Sequence, residues 1–311
     1  MAHHHSHNHS HGSHEHHHAP ANYNRAFIIG LVLNVSFVIT EFIFGFLANS
    51  VALIADAGHN LSDVLGLLLA WLGIWLSRRQ PSHQKTYGWR KSSIVAAFLN
   101  ALFLLVVTGA IAWEAIQRFF HPDDVQGSII IAVAAIGIVI NTVTALMFFS
   151  GRHNDINIRA AFLHMAADAM VSVGVVLAGI GIILTHWLWL DPAFSLIISA
   201  LIIFNTWDLL KESFHLVIDG VPLKIDQNAV RAFLCEYPGV AQIHDLHIWA
   251  MSTTETALTA HLVIPTGHPG DEFLAKVCRE LHHNFDIDHA TLQVETGDPQ
   301  HPCVLESEQR V

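Results

Sequence analysis

The chain has 311 residues, of which 52% are hydrophobic and only 13% charged, and it carries 25 histidines and a formal net charge of −11 with histidine counted as neutral. This balance excludes an ordinary soluble domain, and without a basic stripe it gives no footing for nucleic acid; it is the composition of a membrane protein. Three cysteines, Cys235, Cys278 and Cys303, are odd in number and widely spaced, which predicts no disulfide framework and suits a reducing compartment.

Residues 1–24 mix histidine with Ser, Asn, Gly and Glu and cannot bury a core, so they are expected to be a disordered cytoplasmic tail. His14, Glu15 and His18 match HExxH there by chance, because that chemistry needs both histidines on a structured helix. The tract reads better as a weak, multivalent zinc collector. Apolar stretches long enough to cross about 30 Å of hydrocarbon follow at 26–48, 51–76, 92–116, 128–149, 160–185 and 187–208. No short basic leader or small-residue cleavage site precedes the first, so it is read as a retained span. Arg78, Arg79, Lys85, Arg90 and Lys91 lie between spans two and three, and Arg152 and Arg159 between four and five. The other loops hold little positive charge apart from Arg118, so both termini are predicted to be cytoplasmic.

After the spans, "KIDQNAVRAFLCEYPG" predicts a helix with Asp226 as N-cap, Val230, Phe233, Leu234 and Tyr237 on one face, and Pro238 and Gly239 as its stop. "VAQIHDLHIWAM" and "TALTAHLVIP" read as strands, "GDEFLAKVCRELHHNF" as a second amphipathic helix and "HATLQVET" as a third strand. The expected organisation is a tail at 1–24, an all-α six-helix transmembrane bundle at 25–212, a cytoplasmic α+β domain of αββαβ order at 213–297 and a C-terminal tail at 298–311. A domain of that size is marginal alone, which favours self-association.

The chemistry lies in two oily spans. "HNLSD" in the second carries His59 and Asp63, and "AFLHMAAD" in the fifth carries His164 and Asp168. Positions i and i+4 share a helix face, so each pair forms a two-ligand claw; face to face they offer two nitrogens and two carboxylates, a tetrahedral set suited to Zn²⁺. A buried hydrogen bond or helix contact would explain either pair alone. Four ionisable groups at repeated spacing and at membrane depth favour a metal site. Asn34, Glu41, Asp56 and Asn60 are also polar within spans, and interhelical hydrogen bonding is the better account of them.

"SVALIADAGHNLSD", "RAAFLHMAAD", "YGWRK" and "HDLHIW" together resemble the cation diffusion facilitator family, specifically its zinc-exporting bacterial members, over about residues 25 to 296. The resemblance implies six spans, a metallochaperone-like (ferredoxin-like) αββαβ domain, a homodimer in the inner membrane, and exchange of metal for protons, with no enzymatic activity. It implies a transport site at His59, Asp63, His164 and Asp168. In the soluble domain strand alternation puts Leu258, Ala260, Leu262 and Ile264 on one face and His261 on the other, with Glu295 and Gln293 opposite Ala290, Leu292 and Val294. His244 opens the first strand within reach. The resemblance implies that His244, His261 and Glu295 bind zinc; an ordinary solvated face is the alternative. Gln293 stands where some members have histidine, which argues against a second metal there. His247 and Trp249 belong to the same motif and are open to the reading that they shape the strand alone. The loop after span two offers only His83, and Arg90 fills a position where similar chains often carry histidine, so no metal site is expected in it.

The expected activity is secondary transport of Zn²⁺, or other divalent transition metals, out of the cytoplasm. An intramembrane metallohydrolase would need an open coordination position and a spare base, which two symmetric claws do not offer. A membrane-anchored metal sensor would instead make the cytoplasmic site the functional one. Selectivity among Zn²⁺, Co²⁺, Cd²⁺ and Ni²⁺ is not set by affinity order.

Overall fold

The computed structural model describes residues 22–77, 79–149 and 156–306. The histidine-rich tract, with its HExxH match, and Arg78 and Arg152 lie outside the described residues, as do the last five residues of the C-terminal tail. Six long helices come first: α1 (Asn22–Leu47), α2 (Val51–Ser77), α3 (Ser92–Phe120), α4 (Gly127–Phe149), α5 (Ile156–Thr185) and α6 (Leu190–Val217). Among the described residues, α1, α3, α4, α5 and α6 contain segments long and apolar enough to cross a membrane. Between 22% and 39% of the most apolar part of each is buried within the protein, so most of that surface, including Ile43, Val106, Leu184 and Phe204, faces outward. Burying outward apolar surface in lipid is how a bundle with an oily exterior satisfies both its backbone and its side chains.

Inside the bundle Phe37, Leu53, Leu104, Ile130, Val175, Ile198 and Ile202 form one apolar core. Helices α4 and α5 run side by side along their length, as do α3 and α6, while α2 packs on α1, α3 and α6 and only sparsely on α5. The α4–α5 approach depends on small residues: a Cβ on Gly179 would lie 2.8 Å from Ile131 and 3.3 Å from the Gly127 carbonyl.

Helix α6 differs from its expected extent. It begins at Leu190, with Pro192 in the first turn where a missing N–H costs nothing, and continues to Val217 rather than ending near 208. The hydropathy falls in "WDLLKESFHLV", but these are good helix formers, so the helix outlasts its oily part and passes the domain edge expected at 212.

The C-terminal part folds as α7 (Gln227–Cys235), β1 (Gln242–Ala250), β2 (Thr256–Val263), α8 (Asp271–Phe285) and β3 (His289–Glu295), the expected αββαβ order. Asp226 caps α7 as predicted, its carboxylate accepting from the backbone N–H of Asn228 at 2.8 Å and of Ala229 at 3.3 Å. The three strands lie in the order β1-β2-β3, with β2 antiparallel to β1 and parallel to β3. A parallel neighbour needs a crossover, and α8 supplies it. Val230, Leu234, Val277 and Leu281 of the helices pack on Ile243, Ile248, Leu258 and Leu262 of the sheet. The sheet therefore has one covered face, and the other is free to carry polar groups.

The two parts meet through the α2–α3 loop. Arg90 pairs with Glu255 at 3.1 Å, Lys91 with Asp219 at 2.6 Å, and the Ser93 hydroxyl accepts from the Thr253 backbone N–H at 3.2 Å. Arg90 thus serves an ion pair between the two parts.

Candidate metal centres

The claws on α2 and α5 come together as their spacing predicts. His59 Nε2 lies 4.0 Å from the carboxylate of Asp63 on its own helix and 3.3 Å from that of Asp168 on α5. His164 Nε2 reciprocates, 3.2 Å from Asp63 and 3.7 Å from Asp168. Each imidazole therefore addresses both carboxylates, and the ring centroids are 6.2 Å apart. His59, Asp63 and Asp168 offer donor atoms within 4.8 Å of one another, and His164 closes the set through its contacts with the two acids. One oxygen each of Asp63 and Asp168 is buried and meets only imidazole, chiefly that of His164, the condition of atoms suited to a cation.

The quartet is less enclosed than its depth suggested. The Asp168 side chain is 2% exposed, but that of His164 is 40% exposed, because α2 and α5 touch only sparsely and leave one side of the cluster open. Behind it, Asn60 Nδ2 donates to Glu41 at 3.0 Å, joining α2 to α1, and Asp56 adjoins both Glu41 and Ser172. These residues form an interhelical polar network, as expected of them.

At one end of the bundle the structure shows a contact that sequence reasoning missed. Ser50 caps α2 by accepting from the Leu53 N–H at 3.2 Å, and Asp191, buried in the first turn of α6, accepts from the Ser50 hydroxyl and from the Val51 N–H at 2.8 Å. Ser before "VALIAD" is a readable cap; its partner from 140 residues away is not. Arg118, the lone basic residue of that end, binds the Asn49 carbonyl at 2.7 Å and is paired with Glu114 and Asp123.

The second cluster lies on the uncovered face of the sheet. His244 and His261 are directly opposite across β1 and β2, with ring centroids 5.1 Å apart. Glu295 lies 3.3 Å from His244 Nε2 and 2.9 Å from His261 Nδ1. The three predicted residues are thus brought together, and Cys303 of the C-terminal tail joins them. His244 and His261 are 2% and 8% exposed, so this is no ordinary solvated face. Gln293 donates to Glu295 at 2.9 Å, a hydrogen-bonding role. Burial pushes the Glu295 carboxyl up, but hydrogen bonds from Cys303 and Gln293 and the nearby histidines outweigh it and hold the group below its ordinary value.

Asp245 was also missed. Between His244 and His247 strand β1 advances three residues while β2 advances two, a one-residue bulge, and Asp245 sits in it with a left-handed φ of 51°. The insertion resets the alternation: Ile243, Leu246 and Ile248 face the core, whereas His244, Asp245 and His247 serve the other face. Asp245 lies 3.4 Å from His261 Nε2 and 2.8 Å from His247 Nε2. Its hold on Nε2 leaves Nδ1 of His261 to face the cluster, the carboxylate–histidine arrangement that orients metal ligands. The doubled polar pair in "IHDLHI" was the available signal. His247 and Trp249 stay outside the cluster.

Comparison with known proteins agrees with this architecture. The cation efflux transmembrane domain model matches residues 27–217, and the cation efflux protein cytoplasmic domain model matches residues 222–297. The chain belongs to the cation efflux family, the cation diffusion facilitators. It is 36% identical over 276 residues to zinc transporter ZitB of Escherichia coli (strain K12), with 88% of each chain covered. It is 36% identical over 288 residues to a cadmium, cobalt and zinc/H(+)-K(+) antiporter of Bacillus velezensis, covering 91% of this chain and 92% of that one. It shares the same identity over 285 residues with the metal cation efflux system protein CzcD of Cupriavidus metallidurans, at 91% and 89% coverage. The family is one of transporters rather than enzymes.

Proposed function

We propose that this protein exports Zn²⁺, and related divalent transition metals, from the bacterial cytoplasm across the inner membrane in exchange for protons. The observation that carries the reading is the convergence of His59 and Asp63 with His164 and Asp168, two nitrogens and two carboxylates from facing helices with no sulfur among them. The relatives' names for zinc, cadmium and cobalt support that range of cargo. Helix α2, 27 residues long, serves as the sixth span and carries half of the site. The basic α2–α3 loop, which touches the C-terminal domain, supports a cytoplasmic position for that domain and for both termini. Dimerisation through the cytoplasmic domain is supported by the family to which that domain belongs.

The ligands account for coupling. Imidazole binds metal when neutral and carboxylate when ionised, so protons and Zn²⁺ compete for the same atoms. The opening beside His164 gives each a route when α2 and α5 shift, and access alternates as that opening changes side. Moving a divalent cation outward against 100 mV costs about 4.6 kcal/mol, at roughly 2.3 per charge, and each returning proton recovers about 2.3. At the sheet, His244, His261 and Glu295 hold a resident Zn²⁺ that orders the cytoplasmic domain.

Proteoliposomes loaded with a pH-sensitive dye test the reading. Zinc entering the lumen should drive protons out, and His164→Ala should stop both fluxes. Zinc uptake at clamped voltage with no lumenal pH change would refute exchange, and absence of zinc uptake would refute transport.

A further inference from the structure

We propose that Cys303 is the fourth ligand of the centre on the sheet, making it a closed His₂GluCys set that retains a thiophilic cation such as Zn²⁺. The inference extends the reading of His244, His261 and Glu295 as metal ligands and adds a donor from outside the αββαβ fold. The Cys303 Sγ lies 3.5 Å from His261 Nδ1, and its thiol hydrogen-bonds Glu295. Four donor atoms, one from each residue, lie within 4.8 Å of one another. Tetrahedral bonds of about 2.0–2.3 Å require donors about 3.3–3.8 Å apart. The separations of 2.9, 3.3 and 3.5 Å need only small movements to reach that spacing.

A hydrogen-bonded thiol without a metal function is the competing account, and His244 weighs against it. That ring is 2% exposed, its Nδ1 has no polar partner, and its Nε2 has only the Glu295 carboxylate at 3.3 Å, without hydrogen-bond geometry. A buried imidazole left in that state is costly unless a further group satisfies it. Its Nε2 is aimed at Glu295, where a cation shared with Cys303 would lie. Asp245 fixes the other imidazole with Nδ1 inward. His301, another possible donor of the tail, is occupied elsewhere, 2.9 Å from Asp298 and largely exposed. Cys235 and Cys278 lie on α7 and α8, away from the set.

A thiolate changes what the centre does. Sulfur favours Zn²⁺ and Cd²⁺ over oxygen-seeking Mg²⁺ and Ca²⁺, and a fourth protein ligand leaves no open position, as in structural rather than catalytic zinc sites. The ion then ties the C-terminal tail to the sheet within a groove of about 750 Å³ that His244, Glu295 and Cys303 themselves line.

Full-length protein in detergent, stripped of metal, kept reduced with a phosphine and titrated with Co²⁺ alone, gives the test. The first equivalents should raise a near-ultraviolet thiolate-to-cobalt charge-transfer band. It should vanish in Cys303→Ser and persist in the Cys235→Ser/Cys278→Ser double variant. Zn²⁺ should slow alkylation of Cys303 by iodoacetamide more than tenfold, and His261→Ala should abolish that protection. A full band in Cys303→Ser, or a tetrahedral cobalt spectrum that depends on His261 but has no thiolate band, would overturn the assignment. The bundle quartet contains no thiol, so Asp63→Ala should keep the band. Failure of zinc flux would therefore count against transport alone.

Discussion

Both clusters use imidazole and carboxylate donors, with the Cys303 thiol added at the sheet, and they differ in enclosure. In the bundle, two helices supply two residues each, and the His164 side chain is 40% exposed. On the sheet, the donors come from β1, β2, β3 and the tail, and the two histidines are nearly buried. A cargo ion must enter and leave, which an incompletely surrounded site between sparsely packed helices permits. The ion proposed to reside at the sheet needs ligands that do not part, and there four segments converge. Placing ligands on helices that can shift, or on a sheet with its own core, is the physical difference between passage and retention.

The sharpest way to break that comparison is to remove a bundle carboxylate. Asp63→Ala or Asp168→Ala should lower zinc flux at least 100-fold, while the detergent-purified protein keeps its cobalt charge-transfer band at the sheet. Appreciable flux from either variant at equal reconstitution would mean that the cargo does not pass between α2 and α5.

The bundle cluster was legible because a helix turns spacing into geometry: i and i+4 share a face whatever surrounds them, so His59/Asp63 and His164/Asp168 could be paired before any fold was known. The opening beside His164 was not legible, since it depends on how loosely α2 meets α5. The sheet cluster was legible only in part. Alternation gave His261 and Glu295, but a strict two-residue period cannot pass through the bulge, and Asp245 was lost there. Cys303 could not be placed for another reason: a tail with no periodicity has no face to predict. The Asp191 cap on α2 is likewise a meeting of distant segments, which no local pattern marks.

Asp245 offers a second, smaller test on the sheet side. As a positioning residue it should affect affinity without moving the fold, and Asp245→Asn keeps a side chain that tolerates the left-handed conformation. Zinc affinity at the sheet centre, measured by competition with a chromophoric chelator, should fall roughly 10- to 100-fold. The melting temperature of the metal-free protein should stay within a degree or two of the parent. Unchanged affinity would show that His261 is oriented by the sheet alone.

On the bundle side, Asp191→Ala leaves the Val51 N–H and the Ser50 hydroxyl without their partner. A buried donor so orphaned costs about 1–3 kcal/mol, and the fixed end of α2 frays. Thermal unfolding in detergent should show the loss, and Asp191→Asn, which keeps an acceptor, should restore part of it. An unaltered midpoint in Asp191→Ala would mean that the N-terminal end of α2 is held by packing alone.

The smallest effect separates the sheet's own core from its metal centre. Tyr237 packs under the sheet against Phe233 and Phe273, and its hydroxyl donates to Glu280 at 2.6 Å. Burial, then the hydrogen bond and charge of Glu280, push its phenol up to about 12. A neutral phenol favoured by the fold means that the folded state holds its proton more tightly than the unfolded chain, where tyrosine titrates near 10. The stabilisation is therefore complete below about pH 10 and is lost as pH rises toward 12. The chain has three tyrosines, so alkaline titration followed by tyrosinate absorbance should show one of them ionising late. Tyr237→Phe should remove that late step while leaving the cobalt band at His244, His261, Glu295 and Cys303 in place. Were the late step to persist in Tyr237→Phe, another tyrosine would be the protected one; were the band to weaken, the core beneath the sheet and the ligands above it would not be independent.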